Sequence, residues 1–288
     1  MAEIVSKIQR IIPDKVYLSA KYYKHFHRLP NLRKPETFTE KIQWLKLYDR
    51  REEYITYVDK YLVKEYIAEK LGWEYIIPTL AVWSSIEEID IENLPEQFVI
   101  KCTHDSGSII VCKDKKKFNL EKAKSSLQRG LISTGYWYGR EWPYKQVVPK
   151  LIVEQYMEDT KTHELRDYKF FCFNGVVKMF KVDFDRFTNH RANYYDEKGH
   201  ILPFGEKYLP PDFDRDIEIP ASIPQMIELA QVLSKGIPFV RVDFYDVNGR
   251  IYFGELTFYP ASGFGPFTSN DADLEVGSWL QLPEIKRW

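Results

Sequence analysis

The sequence predicts an α+β fold with two small antiparallel sheets and helices between them. Two Asn-Gly dipeptides, Asn174-Gly175 and Asn248-Gly249, each join a pair of strand-like runs, and this is the strongest short-range hairpin signal a sequence carries. A third pair of β-rich runs, QFVIKC and SIIVCKD, flanks the polar turn HDSGS. No strand–GxGxxG–helix unit occurs, so nothing points to a doubly wound parallel sheet.

In chain order, residues 1 to about 57 read as mainly helical. Thr37-Phe38-Thr39-Glu40 fits a capping box, after which Phe38, Ile42, Trp44 and Leu45 begin an apolar stripe. A second helix is expected from about Asp59 to Leu71, ended by Gly72. Strands QFVIKC and SIIVCKD follow, then a helix near 120–130 and the strand KLIVEQYM. YKFFCF and VVKMFKV form the first Asn-Gly hairpin. The stretch 200–224, rich in Pro and Asp, reads as a long surface loop, and a helix over 222–235 precedes the hairpin FVRVDFYDV–RIYFGEL.

Composition removes several function classes. The 41 basic and 42 acidic residues leave a net charge of −1, which gives no general attraction to nucleic acid. No apolar run is long enough to span a bilayer and the N-terminus lacks a signal-peptide core, so peripheral association is the one membrane role left open. Cys102, Cys112 and Cys172 are odd in number, lie in apolar strand-like runs and lack zinc-ligand spacing. They read as buried free thiols in a reducing compartment, which predicts a cytoplasmic protein.

Candidate chemistry is sharpest near the C-terminus. Arg241 and Asp243 are two apart on one strand and share a face, and Glu255 on the partner strand can approach them. Two carboxylates on a rigid hairpin suit Mg²⁺, which takes one or two carboxylates and keeps room for substrate phosphates. For the hairpin taken alone, a salt-bridge ladder on an exposed sheet face is the commoner reading. Upstream, Lys101 ends a strand ahead of the small polar loop Thr103–Ser108, a pattern suited to phosphate, although strand lysines also snorkel at sheet edges. Glu154, at the end of LIVE, could accept a hydrogen bond from an adenine amino group, with Gln155-Tyr156-Met157 offering backbone contacts.

The order of these segments resembles the ATP-grasp superfamily, which includes D-alanine–D-alanine ligase. DKYLVKEYIAEKLGWEYIIPT looks like its DKxxxK helix, and the resemblance runs over roughly 57–265. FTEKIQWLKLYDR, FVIKCTHDSGS, LRDYKFF, GIPFVRVDFY and IYFGELTFYPASGF look like the TupA-like ATP-grasp family. That family is associated with teichuronic acid and capsular polysaccharide clusters, and its members are often labelled glycosyltransferases. The resemblance implies two α+β lobes clamping ATP, at 58–155 and 156–288, behind a helical extension at 1–57. It implies an ATP- and Mg²⁺-dependent ligase joining a carboxylate to an amine, with one partner linked to a saccharide. Lys60 and Lys101 would contact the α- and β-phosphates, with Lys101 serving catalysis too, and Ser106, Gly107 and Ser108 would close over them. Glu154 and Met157 would hold adenine and Asp167 the ribose. Asp243 and Glu255 would bind Mg²⁺, and Arg241 would stabilise the acyl-phosphate.

Three features depart from or go beyond that pattern. Thr257 stands where ATP-grasp ligases usually carry a metal-binding Asn, and the usual Rossmann-like substrate lobe is replaced by the helical segment. The residue gripping the γ-phosphate is open among Lys178, Lys181, Arg186 and Arg191. Asp-x-Asp pairs at 183/185, 212/214, 214/216 and 271/273 leave a glycosyltransferase as the alternative, since such pairs can hold a metal and a nucleotide-sugar. A protein kinase is disfavoured, because no H-R-D-L-x-x-x-N loop exists. A nucleotide-binding module without catalysis is the remaining reading. The aromatic segment 135–150 and His104 are further candidates for contact with substrate or nucleotide.

Overall fold

Nine strands form two separate antiparallel sheets among the described residues, and the charged candidate residues sit where these sheets face each other. The computed structural model describes residues 10–133, 135–161, 165–185, 188–215 and 217–284. The first sheet has the order β1-β4-β2-β3, built from β1 (Thr79–Trp83), β2 (Phe98–Cys102), β3 (Ile109–Cys112) and β4 (Leu151–Gln155). The second has the order β7-β6-β5-β8-β9, from β5 (Asp167–Phe173), β6 (Val176–Phe184), β7 (Arg191–Tyr195), β8 (Phe239–Val247) and β9 (Arg250–Thr257). The Asn-Gly hairpins join β5 to β6 and β8 to β9, with positive φ at Asn174, Gly175, Asn248 and Gly249 as such two-residue turns require. Two edge strands, β1 and β7, are absent from the sequence expectation. Each lies beside polar loop sequence, where period-two patterning is short.

Eight α-helices are described: α1 (Asp14–Phe26), α2 (Phe38–Tyr48), α3 (Glu53–Val58), α4 (Val63–Leu71), α5 (Leu120–Ile132), α6 (Gly135–Gly139), α7 (Ile223–Ser234) and α8 (Asn270–Ser278). The capping box starts α2: the Glu40 amide donates to Thr37 Oγ1 at 3.3 Å, and the Thr37 amide donates to the Glu40 carboxylate at 3.4 Å. The helix expected from Asp59 starts instead at Val63. Asp59 accepts the Tyr61 and Leu62 amides at 2.8 and 3.0 Å, so a turn precedes the helix and Lys60 sits in that turn. No helix among the described residues is long and apolar enough to cross a membrane.

Side-chain alternation divides the second sheet. One face, with Phe170, Cys172, Val240, Val242 and Phe244, packs against Met226, Ala230 and Leu233 of α7. The other face changes character along its length. Its apolar end, Phe173 and Phe239, is covered by Phe38 of α2, with ring centroids 6.0 and 5.0 Å away. Its other end carries Arg241, Asp243 and Lys169 and faces the first sheet. The N-terminal helices α2 and α3 therefore share one core with the second sheet.

α2 and α8 meet closely, because Asp273 accepts the Thr39 amide at 2.9 Å and its hydroxyl at 2.5 Å. At Gly277 a Cβ would stand 2.2 Å from the Glu36 carbonyl oxygen and 2.7 Å from the Phe38 nitrogen. Gly277→Ala therefore forces the helices apart. The expected loss is about 1–3 kcal/mol of stability, read from the urea midpoint; an unchanged midpoint would refute the close contact.

Candidate active site between the two sheets

The site is built on hairpin register. Counted back from Asn248-Gly249, Val247 pairs with Arg250, Tyr245 with Tyr252 and Phe244 with Phe253. A regular hairpin would then place Asp243 opposite Gly254 and turn Glu255 toward the core. Instead, the register shifts between Asp243 and Phe244, so that Gly254 is the extra residue and Asp243 pairs with Glu255. Glycine suits this position, since a Cβ there would lie only 3.0 Å from the Asp243 carbonyl oxygen. The β5–β6 hairpin does the same: Cys172 pairs with Val177 and Phe171 with Met179, which leaves Lys178 as the extra residue and brings Lys181 opposite Lys169. The two bulges align one row across the sheet: Glu255, Asp243, Lys169, Lys181 and Tyr194.

Charges in this row interlock. Arg241 grips Asp243 with two hydrogen bonds of 2.7 and 2.6 Å and reaches Glu255 and Thr257 at 3.0 Å each. The Thr257 hydroxyl also donates to Glu255 at 3.0 Å. Lys169 is bonded to Asp167 and lies 3.3 Å from Asp183 and 3.7 Å from Asp243. Lys181 lies 3.4 Å from Glu206 and 3.6 Å from Asp183. Glu255 differs from its neighbours because its side chain is 40% exposed, toward the cleft, whereas that of Asp243 is 3% exposed. Burial alone would raise the Glu255 carboxyl, but Arg241, then Lys60 and Lys169, outweigh it and hold it at about 2. It is ionised at neutral pH.

The first sheet supplies cations. Lys101 on β2 and Lys64 on α4 both pair with the buried Glu154, at 2.5 and 2.6 Å. Lys60 donates to the Asp105 carbonyl, and its own amide donates to the Thr103 carbonyl at 2.9 Å, which ties its turn to the β2–β3 loop. Burial lowers the Lys60 ammonium, with Glu255 the largest opposing influence. A half-buried amine in that state gains from an added anion. In the loop, Ser106 and Gly107 are exposed and Ser108 bonds back to Asp105.

The main cleft at the charged row, of about 530 Å³, brings together Lys60, Ser106, Arg241, Glu255 and Thr257; a separate opening of about 620 Å³ lies near Asp159 and Asn248. Lys101 and Glu154 instead line a smaller gap between the sheets, with Lys60, Lys64, Phe253 and Gly254. That gap is about 10 Å³, room for roughly one water. Gly107, Ser108, Met157 and Asp167 lie outside both linings, and Asp167 is engaged with Lys169. Of the γ-phosphate candidates, Lys181 is in the charged row, Lys178 is exposed on its bulge and Arg191 stands 3.6 Å from Asp212. Arg186 lies outside the described residues.

Glu255 reaches the cleft as a candidate Mg²⁺ ligand beside phosphate oxygens, whereas Asp243 lines neither the main cleft nor the gap and has both oxygens held by Arg241, so its use as a second ligand requires Arg241 to let go. Among the described residues no three His, Cys, Asp or Glu side chains form a metal cage, but Mg²⁺ does not require one. Lys169 carries no role in the sequence reading, although it lies in the segment LRDYKFF. Its position two residues after Asp167 was the available signal. Glu141 and Tyr144, which also line the main cleft, were passed over inside an aromatic segment. Of the Asp-x-Asp pairs, Asp273 is committed to Thr39, and Asp183 faces two lysines while Asp185 turns to Arg215 at 3.7 Å. Asp216 is outside the described residues.

No curated protein matches the chain in sequence. Among solved structures, D-alanine–D-alanine ligase from Helicobacter pylori shares 16% identity over 84% of this chain and 69% of its own, with a TM-score of 0.45. The Bacillus anthracis D-alanine–D-alanine ligase, complexed with ATP, shares 13% over 70% of this chain and 54% of its own, with a TM-score of 0.40. The D-cycloserine synthetase DcsG shares 16% over 78% and 71%, with a TM-score of 0.42. The chain thus spans about half of the Bacillus anthracis enzyme and about seven-tenths of the other two. The family described as TupA-like ATPgrasp matches residues 40–281, most of the sequence, and the chain belongs to that family.

Proposed function

We propose that this protein is an ATP-dependent carboxylate–amine ligase. The γ-phosphoryl group of ATP passes to a carboxylate oxygen, giving an acyl-phosphate and ADP. A neutral amine nitrogen then attacks the acyl carbon, the C–O bond to phosphate breaks, the nitrogen gives up a proton to the departing phosphate, and an amide forms. The supporting observation is the main cleft, where Lys60, a half-buried cation whose ammonium is lowered by burial, faces Arg241 and the ionised, cleft-exposed Glu255.

In this reading residues 58–155 form the nucleotide-covering lobe and 156–288 the metal-bearing lobe. Lys60 and Lys101 hold the α- and β-phosphates, and Ser106, Gly107 and Ser108 close over them through backbone N–H groups. Glu154 and Met157 hold adenine and Asp167 the ribose. Because the gap beside Glu154 has room for only about one water, the sheets part to admit the base. Asp243 and Glu255 hold Mg²⁺, which when bound neutralises phosphate charge. Arg241 then turns part of its guanidinium from the carboxylates to the acyl-phosphate, while Lys169 and Lys181 face the transferring group. Catalysis by such a site is positioning and charge neutralisation. The family resemblance points to a uronic-acid or amino-acid group of a surface polysaccharide or its precursor, and the three buried free cysteines suit a reducing cytoplasm.

Calorimetry with ATP, with and without Mg²⁺, and with UDP-glucose tests this reading. The wild type should bind ATP more tightly with Mg²⁺, and Glu255→Gln should lose most of that gain. Tight binding of UDP-glucose with none of ATP would favour a glycosyltransferase and sink the ligase.

The two bulges yield a sharper comparison. Lys181→Met should weaken ATP–Mg²⁺ binding by about 10-fold or more, the scale of a lost charge-assisted hydrogen bond, whereas Lys178→Met should leave it unchanged. Equal effects from both would remove the charged row from the nucleotide site.

A further inference from the structure

The aromatic segment 135–145 and the loop around Tyr208 have no part in the phosphate chemistry, yet both line the main cleft. Tyr138 of α6 is 70% exposed and Tyr208 is 62% exposed. Large rings left open to water inside a cleft mark a place that a ligand covers. The two rings belong to one wall. The Lys21 ammonium of α1 lies 3.3 Å from the Tyr138 ring centroid and 4.9 Å from that of Phe264. The His25 ring stacks on Phe264, with centroids 5.2 Å apart and planes 25° from parallel. His25 Nδ1 is in turn 3.4 Å from the Tyr208 hydroxyl. Lys21 and His25 are four residues apart on α1, so one helix face carries the whole wall.

Each ring is held in place. The Tyr138 carbonyl accepts from Lys21 Nζ at 2.6 Å and from the Tyr17 hydroxyl at 3.1 Å. Phe264 follows a strained turn in which Ala261 and Ser262 take left-handed φ of 47° and 52°. Lys46 and Gln43 of α2 brace that turn through the Ser262 carbonyl, and the Ser262 hydroxyl donates to Glu141. Tyr208 follows a segment laced to residues 266–268. There the Lys207 amide donates to Pro266 O at 2.9 Å, and the Thr268 amide donates to Gly205 O at 2.8 Å. Burial, then Lys21 and Lys24, lowers the His25 imidazole, which leaves it neutral at neutral pH. Rings fixed in advance lose little freedom when a ligand arrives.

We infer that this wall is a platform for one pyranose ring of the substrate, stacked on Tyr138 and edged by Tyr208. The inference rests on the ligase reading for what the sugar is there for, but not for its binding. A pyranose has an apolar C–H face and a rim of hydroxyls, each of which donates and accepts. The wall offers an open aromatic face and, around it, phenol hydroxyls of both capacities and the Glu141 carboxylate. Lys21 backs one face of the Tyr138 ring and lies outside the cleft lining, so a single face is open. A nucleobase, flat and apolar on both sides, gains more from a slot than from one platform. An ammonium on the open face would meet the Lys21 charge through the ring. A phosphate or carboxylate is drawn instead to Lys60 and Arg241, in the same cleft.

Saturation-transfer NMR on the full chain, with and without the non-hydrolysable analogue AMP-PNP and Mg²⁺, tests the platform. The probes are methyl β-glucoside, methyl β-glucuronide, N-acetylglucosamine, the open-chain polyol sorbitol and uridine. At least one pyranose should receive saturation, most strongly at ring protons of one face. Sorbitol, which has the hydroxyls but no ring face, should receive none. Tyr138→Ala and Tyr208→Ala should each weaken pyranose binding, the first by about 10-fold, whereas Tyr138→Phe should keep most of it. AMP-PNP affinity should be the same in all three variants as in the wild type. With AMP-PNP bound by the wild type, any of four results would overturn the platform alone: no pyranose binding, equal binding of sorbitol, preference for uridine, or an unaffected alanine variant. Pyranose binding by a wild type that fails to bind AMP-PNP would instead overturn the ligase reading and leave the platform standing.

Discussion

One extra residue in each of two hairpins determines where the charges of this protein meet. Side chains alternate along a strand, so a single-residue shift moves every later side chain to the other face. Without the bulge at Gly254, Glu255 would point into the apolar core and Leu256 toward the cleft. Without the bulge at Lys178, Lys181 would do likewise. With both, five cross-strand positions from Glu255 to Tyr194 lie in one row, and the opposite face presents Phe170, Cys172, Val240 and Val242 to α7.

Concentrating so many charges on a buried sheet face is costly unless each is paired, and the row shows how the cost is met. Arg241 takes both oxygens of Asp243 and one of Glu255, and Lys169 is shared among three aspartates. The pairing is complete in the interior and incomplete at the cleft. Glu255 is exposed there, and Lys60 opposite donates to a backbone carbonyl and feels Glu255 through space, with no ion pair closer than 4.0 Å among the described residues. Buried hydrophobic residues would serve folding as well or better, so this arrangement points to a ligand that takes over some of the pairings.

The N-terminal helices belong to this arrangement as much as the sheets do. α2 covers the apolar half of the cleft-facing sheet and leaves the charged half open. Through Lys46 and Gln43 it also braces the strained turn at Ala261 and Ser262, and α1 contributes His25 to the cleft wall. A segment that reads in sequence as a separate extension is thus part of the core and of the site.

Local signals were enough to establish the α+β class, both Asn-Gly hairpins, the Thr37 capping box and the shared face of Arg241 and Asp243, because each depends on residues close in the chain. The hydrophobic pattern even carries the bulge: Ile251 and Phe253 are inward at odd positions, Leu256 and Phe258 at even ones, with Gly254 and Glu255 between. What a linear reading lacked was the partner across each gap. Lys169 gains its role from Asp243 on the neighbouring strand, Glu154 from two lysines on other elements, and Glu141 from a turn more than a hundred residues away. Burial and counter-charge are properties of neighbours in space, and only the folded chain decides who those neighbours are.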